Sequence, residues 1–305
     1  MYKIADAHCD YLGYVMLKDE DEVRLYDQTD MVRMQQGGVV LQNFAVWVPS
    51  AKENKLELGL RQIECFHRFL ENNRGYISQP LCQSDMTRNS GIAAVLSIES
   101  GESIGCRNDY IPYVYDKGVR IMSLTWNDEN DYASGCLAQG SLKHEGREAI
   151  RLLNDYTIAL DVSHINEEGF WQALSLYKHA PCATHSCVNS LYKHPRNLKN
   201  SQIKEIIARD GFIGINFYTE FLTGRHADID DILDHIDYVL DCGGEHAVGF
   251  GSDFCGIELT PKGLNSAADF QALPGAMTRR NYAQSVILKI CYGNFARYIL
   301  KFLKQ

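Results

Sequence analysis

Long apolar runs, basic blocks, paired cysteine motifs and low-complexity tracts are all missing from this 305-residue chain. No hydrophobic segment approaches the ~20 residues needed to cross a bilayer, and the opening MYKIADAHCD lacks the apolar core of a secretory leader. The expectation is a cytoplasmic protein without a membrane anchor. Lysine and arginine total 30 against 39 acidic residues, a formal net charge of −9 with no basic stripe, which argues against a nucleic-acid partner. Ten cysteines are present, yet none form a C-x-x-C pair and their spacing offers no secreted disulfide framework. Cys65, Cys182, Cys242 and Cys291 fall in apolar or helical surroundings, where a thiol serves as a small buried hydrophobe. No linker or repeat divides the chain, so one domain spanning 1–305 is expected.

What the chain does have is alternation. Short β-branched, apolar runs occur at 2–8, 39–48, 92–99, 119–126, 158–164, 182–186, 212–218 and 247–253. Most lack polar alternation, as strands buried on both faces of a parallel sheet should. Between them lie segments with helical spacing: LELGLRQIECFHRFLENN, GREAIRLLN, EEGFWQALSLY, SQIKEIIARDG and DIDDILDHIDYVLDCGG. Glycine-containing breaks at 37–38, 210–211 and 243–244 close helices ahead of the next strand. The pattern predicts an α/β fold, a (β/α)8 TIM barrel. Two stretches depart from it. LKDEDEVRLYDQTD is polar ahead of a short helix, MVRMQQ, and 254–280 reads as a long loop.

In such a barrel the chemistry gathers at the C-terminal ends of the strands. In order, those ends carry His8 and Asp10, then Glu99, Trp126 with Asn127, His164, His185, Asn216 with Tyr218, and Asp253. Each has a plain structural alternative: a hydrogen-bonded core histidine, a capping glutamate, an Asx-turn aspartate. Their coincidence at one end of one barrel favours a site. His67, His144, His179, His194, His226, His235 and His246 fall in helices or loops and read as structural. Imidazoles and carboxylates without a thiolate suit zinc or a similar divalent ion. Three histidines and two acids exceed the usual three protein ligands of a single catalytic zinc, and suit two ions if Glu99 bridges. Cys9 and Cys187 adjoin these residues, but period-two geometry turns each away from its neighbour.

The ordered series DAHCD, GGVVLQNFAVWVP, SIESGESI, GVRIMSLTWN, HEGREAIRLLN, LDVSHINEEGF, THSCVNSLYKHPRNL, GINFY, VGFGSDF and GNFARYI resembles the membrane dipeptidase (renal dipeptidase) family, peptidase family M19. These are zinc peptidases on a metal-dependent hydrolase barrel of the amidohydrolase type. Other amidohydrolases typically open with H-x-H and bridge their metals with a carboxylated lysine; here the opening is His8-x-Asp10. The resemblance implies two Zn2+ ions bridged by Glu99 and a hydroxide, with His8, Asp10 and Glu99 on one and Glu99, His164 and His185 on the other. It implies Asp253 as the proton shuttle, Arg196 as receiver of the substrate carboxylate and Tyr218 as a pocket residue. The substrate would be a dipeptide with a free C-terminus, C-terminal D-residues included.

Two positions depart from the family pattern. LTWN stands where better-known members have LTH, so the Trp126 N–H or the Asn127 amide is expected to polarise the scissile carbonyl. GSDFCG stands where DFDG is common, with Cys255 in place of the second aspartate. A different carboxylate-bearing amide, lactam or ester is a second enzymatic reading. A barrel that has lost activity and only binds a ligand is the non-enzymatic one, against which the complete set of polar positions weighs. Related enzymes are often dimers, and the aromatic C-terminal stretch is apolar enough to pack on the barrel or on a second copy in a homodimer.

Overall fold

The computed structural model of the chain describes residues 1–17, 28–88 and 91–305. Most of the polar stretch after the first strand, residues 18–27, lies outside the described residues. Among the described residues, nine parallel strands form one sheet: β1 (Ile4–Cys9), β2 (Val39–Val46), β3 (Ile77–Ser78), β4 (Ile92–Ile98), β5 (Val119–Ser123), β6 (Ala159–Asp161), β7 (Cys182–Ala183), β8 (Phe212–Ile215) and β9 (Val248–Phe250). β1 pairs with both β2 and β9, and β2 pairs with β4, so every strand except β3 joins a closed barrel. The barrel strands are those expected. β3 was not, because two residues carry no periodicity; it pairs with Ile92 and Ala93 before β5 joins β4 at Leu96.

The helices Lys55–Asn72, His144–Tyr156, Glu167–Leu176, Asn200–Ala208 and Ile229–Asp241 match the expected segments. The last shows why. Asp228 caps the Asp230 N–H and Asp231 returns a bond to the Asp228 N–H, both at 2.8 Å. Ile232, Leu233, Ile236 and Val239 then bury one stripe. The expected long loop at 254–280 needs correction: Ala272–Arg279 is helical and buries Leu273, Ala276 and Met277. Pro274 masks it in the sequence, yet in a first turn proline removes only an N–H that has no intrahelical partner.

Of the three glycine breaks, Gly38 and Gly243 take left-handed φ values of 75° and 86°. In the third it is Asp210 that is left-handed, at 54°, a conformation aspartate tolerates. Gly211 serves close approach instead, since a Cβ there would lie 2.4 Å from Pro181 O.

Residues in register across neighbouring strands, Ala5 with Leu41 and Leu41 with Ala93, Ile121 with Ala159, Cys182 with Phe212, gather in one apolar cluster with C-terminal Phe295, Tyr298 and Phe302. Phe295 and Tyr298 place their rings 5.0 and 5.8 Å from that of Phe212. The C-terminal aromatics therefore pack on the chain's own barrel. All ten cysteines are free; Cys182 and Cys291 are buried as expected, Cys65 and Cys242 only partly. Among the described residues no helix is long and apolar enough to cross a membrane.

Candidate metal centre

The side chains read from the strand ends converge at one mouth of the barrel, although several lie past the strands themselves. His164, His185 and Asp253 follow the last ladder residues Asp161, Ala183 and Phe250. There the backbone bonds between neighbouring tips: the Asp253 N–H donates to His8 O (3.1 Å) and the Ser186 N–H to Gly214 O (2.8 Å). β1 is re-aimed just before the site. Asp6 pairs with Gln42 and Cys9 with Phe44, so three steps on β1 oppose two on β2, a bulge that shifts the side-chain alternation. Cys9 packs in the apolar cluster with Leu12 and Phe44, while His8 meets the carboxylates. Asp6 holds the tip, accepting from the Ser252 N–H (2.8 Å), the Ser252 hydroxyl (2.7 Å) and the Gln42 amide (2.9 Å).

Glu99 lies between two sets of side chains. Its Oε2 is 3.2 Å from His8 Nε2, and its Oε1 is 2.8 Å from His164 Nε2 and 3.7 Å from His185 Nε2. His8 Nε2 is also 3.7 Å from Asp10 Oδ2 and 3.8 Å from Asp253 Oδ1. Ligand-capable atoms of His8, Glu99 and His185 lie within 4.8 Å of one another, and so do those of His8, Asp10 and Asp253. The sequence reading gave Asp253 proton transfer alone; the structure puts it in the same cluster as Asp10. The Asn216 amide donates to Asp253 Oδ2 (2.9 Å), which leaves Oδ1 toward His8. Asp253 itself is left-handed at φ 63°, a strained setting typical of functional positions.

The outer nitrogens of the imidazoles are held from behind. His164 Nδ1 is 2.9 Å from Asn127 Oδ1. His8 Nδ1 and His185 Nδ1 are 3.3 and 2.8 Å from one atom, Thr184 Oγ1. The Thr184 hydroxyl donates its hydrogen to Asp161 Oδ2, so its oxygen can only accept from the two rings. Each Nδ1 then carries a proton, which leaves Nε2 of each ring, when neutral, to turn a lone pair inward. His164 Nε2 and His185 Nε2 face each other at 2.8 Å, two acceptors that repel unless a cation lies against both. Among the described residues, His8 Nε2, Asp10 Oδ1 and Glu99 Oε2 are buried without a hydrogen bond, and none of the carboxylates of Asp10, Glu99 and Asp253 pairs with lysine or arginine. The donor set fits divalent cations.

Electrostatics follow from burial and crowding. Burial raises the Asp10 carboxyl, and Glu99 beside it adds to the rise. Burial, with Asp10 next to it, pushes Asp253 well above the usual carboxylate range. Burial would lower His8, but Glu99 and Asp10 outweigh it and raise the imidazole. Burial pushes His164 well down, assisted by Arg196, and does the same to His185, assisted by His8 and Arg196; both remain neutral bases.

A cleft of about 540 Å³ opens onto Asp10, Glu99, His164 and Asp253, with Trp126, Asn127, Arg196 and Tyr218 also lining it. Arg196 is 3% exposed. It donates to His185 O (3.0 Å) and Ser186 Oγ (3.4 Å) and lies 5.4 Å over the Phe221 ring. Among the described residues it has no acidic partner, and its Nε has no hydrogen bond. The Trp126 ring lies 5.3 Å from Trp47 and 6.0 Å from His164. Burial raises the Tyr218 phenol to about 12, with Glu220 and Glu258 adding. Cys255 does not leave its loop without support: its N–H donates to Gln28 Oε1 (2.6 Å), and the Gln28 amide donates to Ile257 O (2.8 Å).

Sequence reasoning missed Thr184, Asp161, Trp47 and Gln28. A signal existed for the first two, since Thr184 directly precedes His185 and Asp161 shares LDVSH with His164. Gln28 and Trp47 reach the site through tertiary packing alone.

Fold and cleft define a metal-dependent hydrolase barrel with a histidine–carboxylate centre. The model of the membrane dipeptidase family, peptidase family M19, matches residues 1–303; the chain belongs to that family and is a metallo-dipeptidase, a hydrolase of peptide bonds. Among its relatives, the dipeptidase aclJ of Aspergillus oryzae is 27% identical over 300 residues, covering 92% of this chain and 70% of that protein. The uncharacterized dipeptidase C965.12 of Schizosaccharomyces pombe is 29% identical over 304 residues, covering 89% and 73%. In fold the chain is similar to a metallo peptidase from Rhodobacter sphaeroides, crystallised with a phosphinate mimic of the dipeptide L-Ala-D-Ala (TM-score 0.92, 24% identity, 99% of both chains).

Proposed function

We propose that this chain is a cytoplasmic two-zinc dipeptidase, a single catalytic domain over 1–305. His8, Asp10 and Glu99 would hold one ion, and Glu99, His164 and His185 the other. The observation that carries this reading is the inward convergence of imidazole lone pairs and carboxylate oxygens around Glu99, with His164 Nε2 and His185 Nε2 only 2.8 Å apart. Two bound ions supply a water activated at neutral pH and a polarised carbonyl. The chain's own residues do the rest. Arg196, buried and without an acidic partner, receives the C-terminal carboxylate of the dipeptide in a planar fork. Asp253, raised by burial and Asp10, carries the proton to the leaving amine. Trp126 and Asn127 border the scissile carbonyl, and Tyr218 with Phe221 closes the side near Arg196.

The free thiols suit a reducing compartment. The C-terminal aromatics are spent on the barrel and lend a homodimer no argument. The ligand of the Rhodobacter peptidase mimics a dipeptide ending in D-Ala, so L,D substrates belong in the test. A panel of L,L and L,D dipeptides and their C-terminal amides is assayed on a preparation whose metal content is measured. Release of free amino acids, near two equivalents of zinc and failure on the amides are expected. An inactive, zinc-free preparation that added zinc does not rescue overturns the mechanism. Cleavage of other carboxylate-bearing amides or lactams with dipeptides untouched would overturn the substrate assignment.

A further inference from the structure

Thr184 is completely buried and Asp161 nearly so, and neither lines the cleft, yet the bonds they make reach both halves of the centre. The Thr184 oxygen has two lone pairs and one hydrogen, and the structure uses all three: His8 Nδ1 at 3.3 Å, His185 Nδ1 at 2.8 Å, and donation to Asp161 Oδ2. Asp161 is fixed in turn. Its Oδ1 accepts from the Ser163 N–H (3.0 Å), the Ser163 hydroxyl (2.6 Å) and the Thr184 N–H (3.1 Å). Asp161 thus stays an acceptor, and the Thr184 hydroxyl proton has one place to go. His8 stands on the Glu99 Oε2 side and His185 on the Oε1 side, so a single hydroxyl addresses one imidazole from each set.

We infer that Thr184 and Asp161 are a shared positioning pair that holds His8 and His185 in the Nδ1–H tautomer, and that the two metal positions gain or lose affinity together through it. The inference rests on the two-metal reading above. Partners behind metal-binding histidines typically change metal affinity ~10–100-fold when removed; here one substitution reaches both ions.

Zinc affinity is measured by chelator competition on wild type, Thr184→Ser, Thr184→Val and Asp161→Asn, with thermal melts of each metal-free protein. Thr184→Ser keeps the hydroxyl and should keep both affinities. Thr184→Val removes it and should weaken both positions ~10–100-fold. Asp161→Asn is nearly isosteric. Its amide can donate to Thr184 Oγ1, which turns the hydroxyl proton onto one imidazole and forces the wrong tautomer there; affinity should fall while the metal-free melt shows a folded protein. If wild type binds no zinc, the two-metal reading itself has failed. If wild type binds two and both Thr184→Val and Asp161→Asn fold and bind two with unchanged affinity, the positioning pair is wrong. Loss confined to one position in Thr184→Val overturns the coupling.

Discussion

His164 Nδ1 lies 2.9 Å from Asn127 Oδ1, and the Cys136 thiol approaches the same oxygen at 3.3 Å. The residue expected to polarise a substrate carbonyl therefore spends its own carbonyl on a histidine, and only its NH2 is left to face the cleft. Asn127→Ala should weaken zinc binding ~10-fold or more, whereas Asn127→Asp keeps an acceptor for His164 and should retain the metal. Zinc titration of both variants separates the roles: unchanged affinity in Asn127→Ala would return Asn127 to substrate contact alone.

Gly256 leaves no room for a side chain. A Cβ there would lie 2.1 Å from Asp10 Oδ2 and 2.8 Å from Asp253 Oδ1. The residue is exposed, so Gly256→Ala should fold with a melting temperature near wild type while displacing both carboxylates. Metal content below wild type and a kcat at least ~10-fold lower are expected, on the scale of disturbed metal-site support. Full metal content with full activity would mean the two carboxylates can shift without consequence.

Trp126 stands at the fourth barrel strand's exit, between Trp47 and His164. If its indole N–H steadies the developing oxyanion, Trp126→Phe should lower kcat ~100-fold or more, the usual loss for one such donor, with zinc content intact. An unchanged kcat would make Trp126 a wall of the cleft and nothing more.

The barrel and the order of its polar strand ends were legible because buried parallel strands write continuous apolar runs, and because the site's acids and imidazoles interrupt those runs at one end. What sequence could not carry was local geometry. The bulge between Asp6 and Cys9 is a register event with no residue signature. The helix Ala272–Arg279 is hidden by Pro274. Thr184 and Asp161 read as ordinary strand residues until folding brings His8, from the far end of the chain, to the same hydroxyl. Asn127 lines the cleft, but which end of its amide is committed depends on a tertiary contact with His164.

His235 offers a stability test away from the metal centre. It is 2% exposed; its Nδ1 accepts from the Val188 N–H (3.0 Å) and its Nε2 donates to Leu222 O (3.0 Å). A protonated ring cannot accept from Val188, and burial accordingly lowers its pKa. The folded protein thus binds this proton less tightly than the unfolded chain, whose histidines titrate near ~6.5. The contribution is complete above that value and is lost as pH falls from there toward the lower folded value. Each tenfold difference in proton affinity is worth about 1.4 kcal/mol. His235→Gln can keep one acceptor and one donor but cannot titrate. Between pH 8 and pH 5 the melting temperature of wild type should fall relative to that of His235→Gln. Parallel curves would show that the His235 bonds to Val188 and Leu222 survive protonation, against the acceptor role its Nδ1 has here.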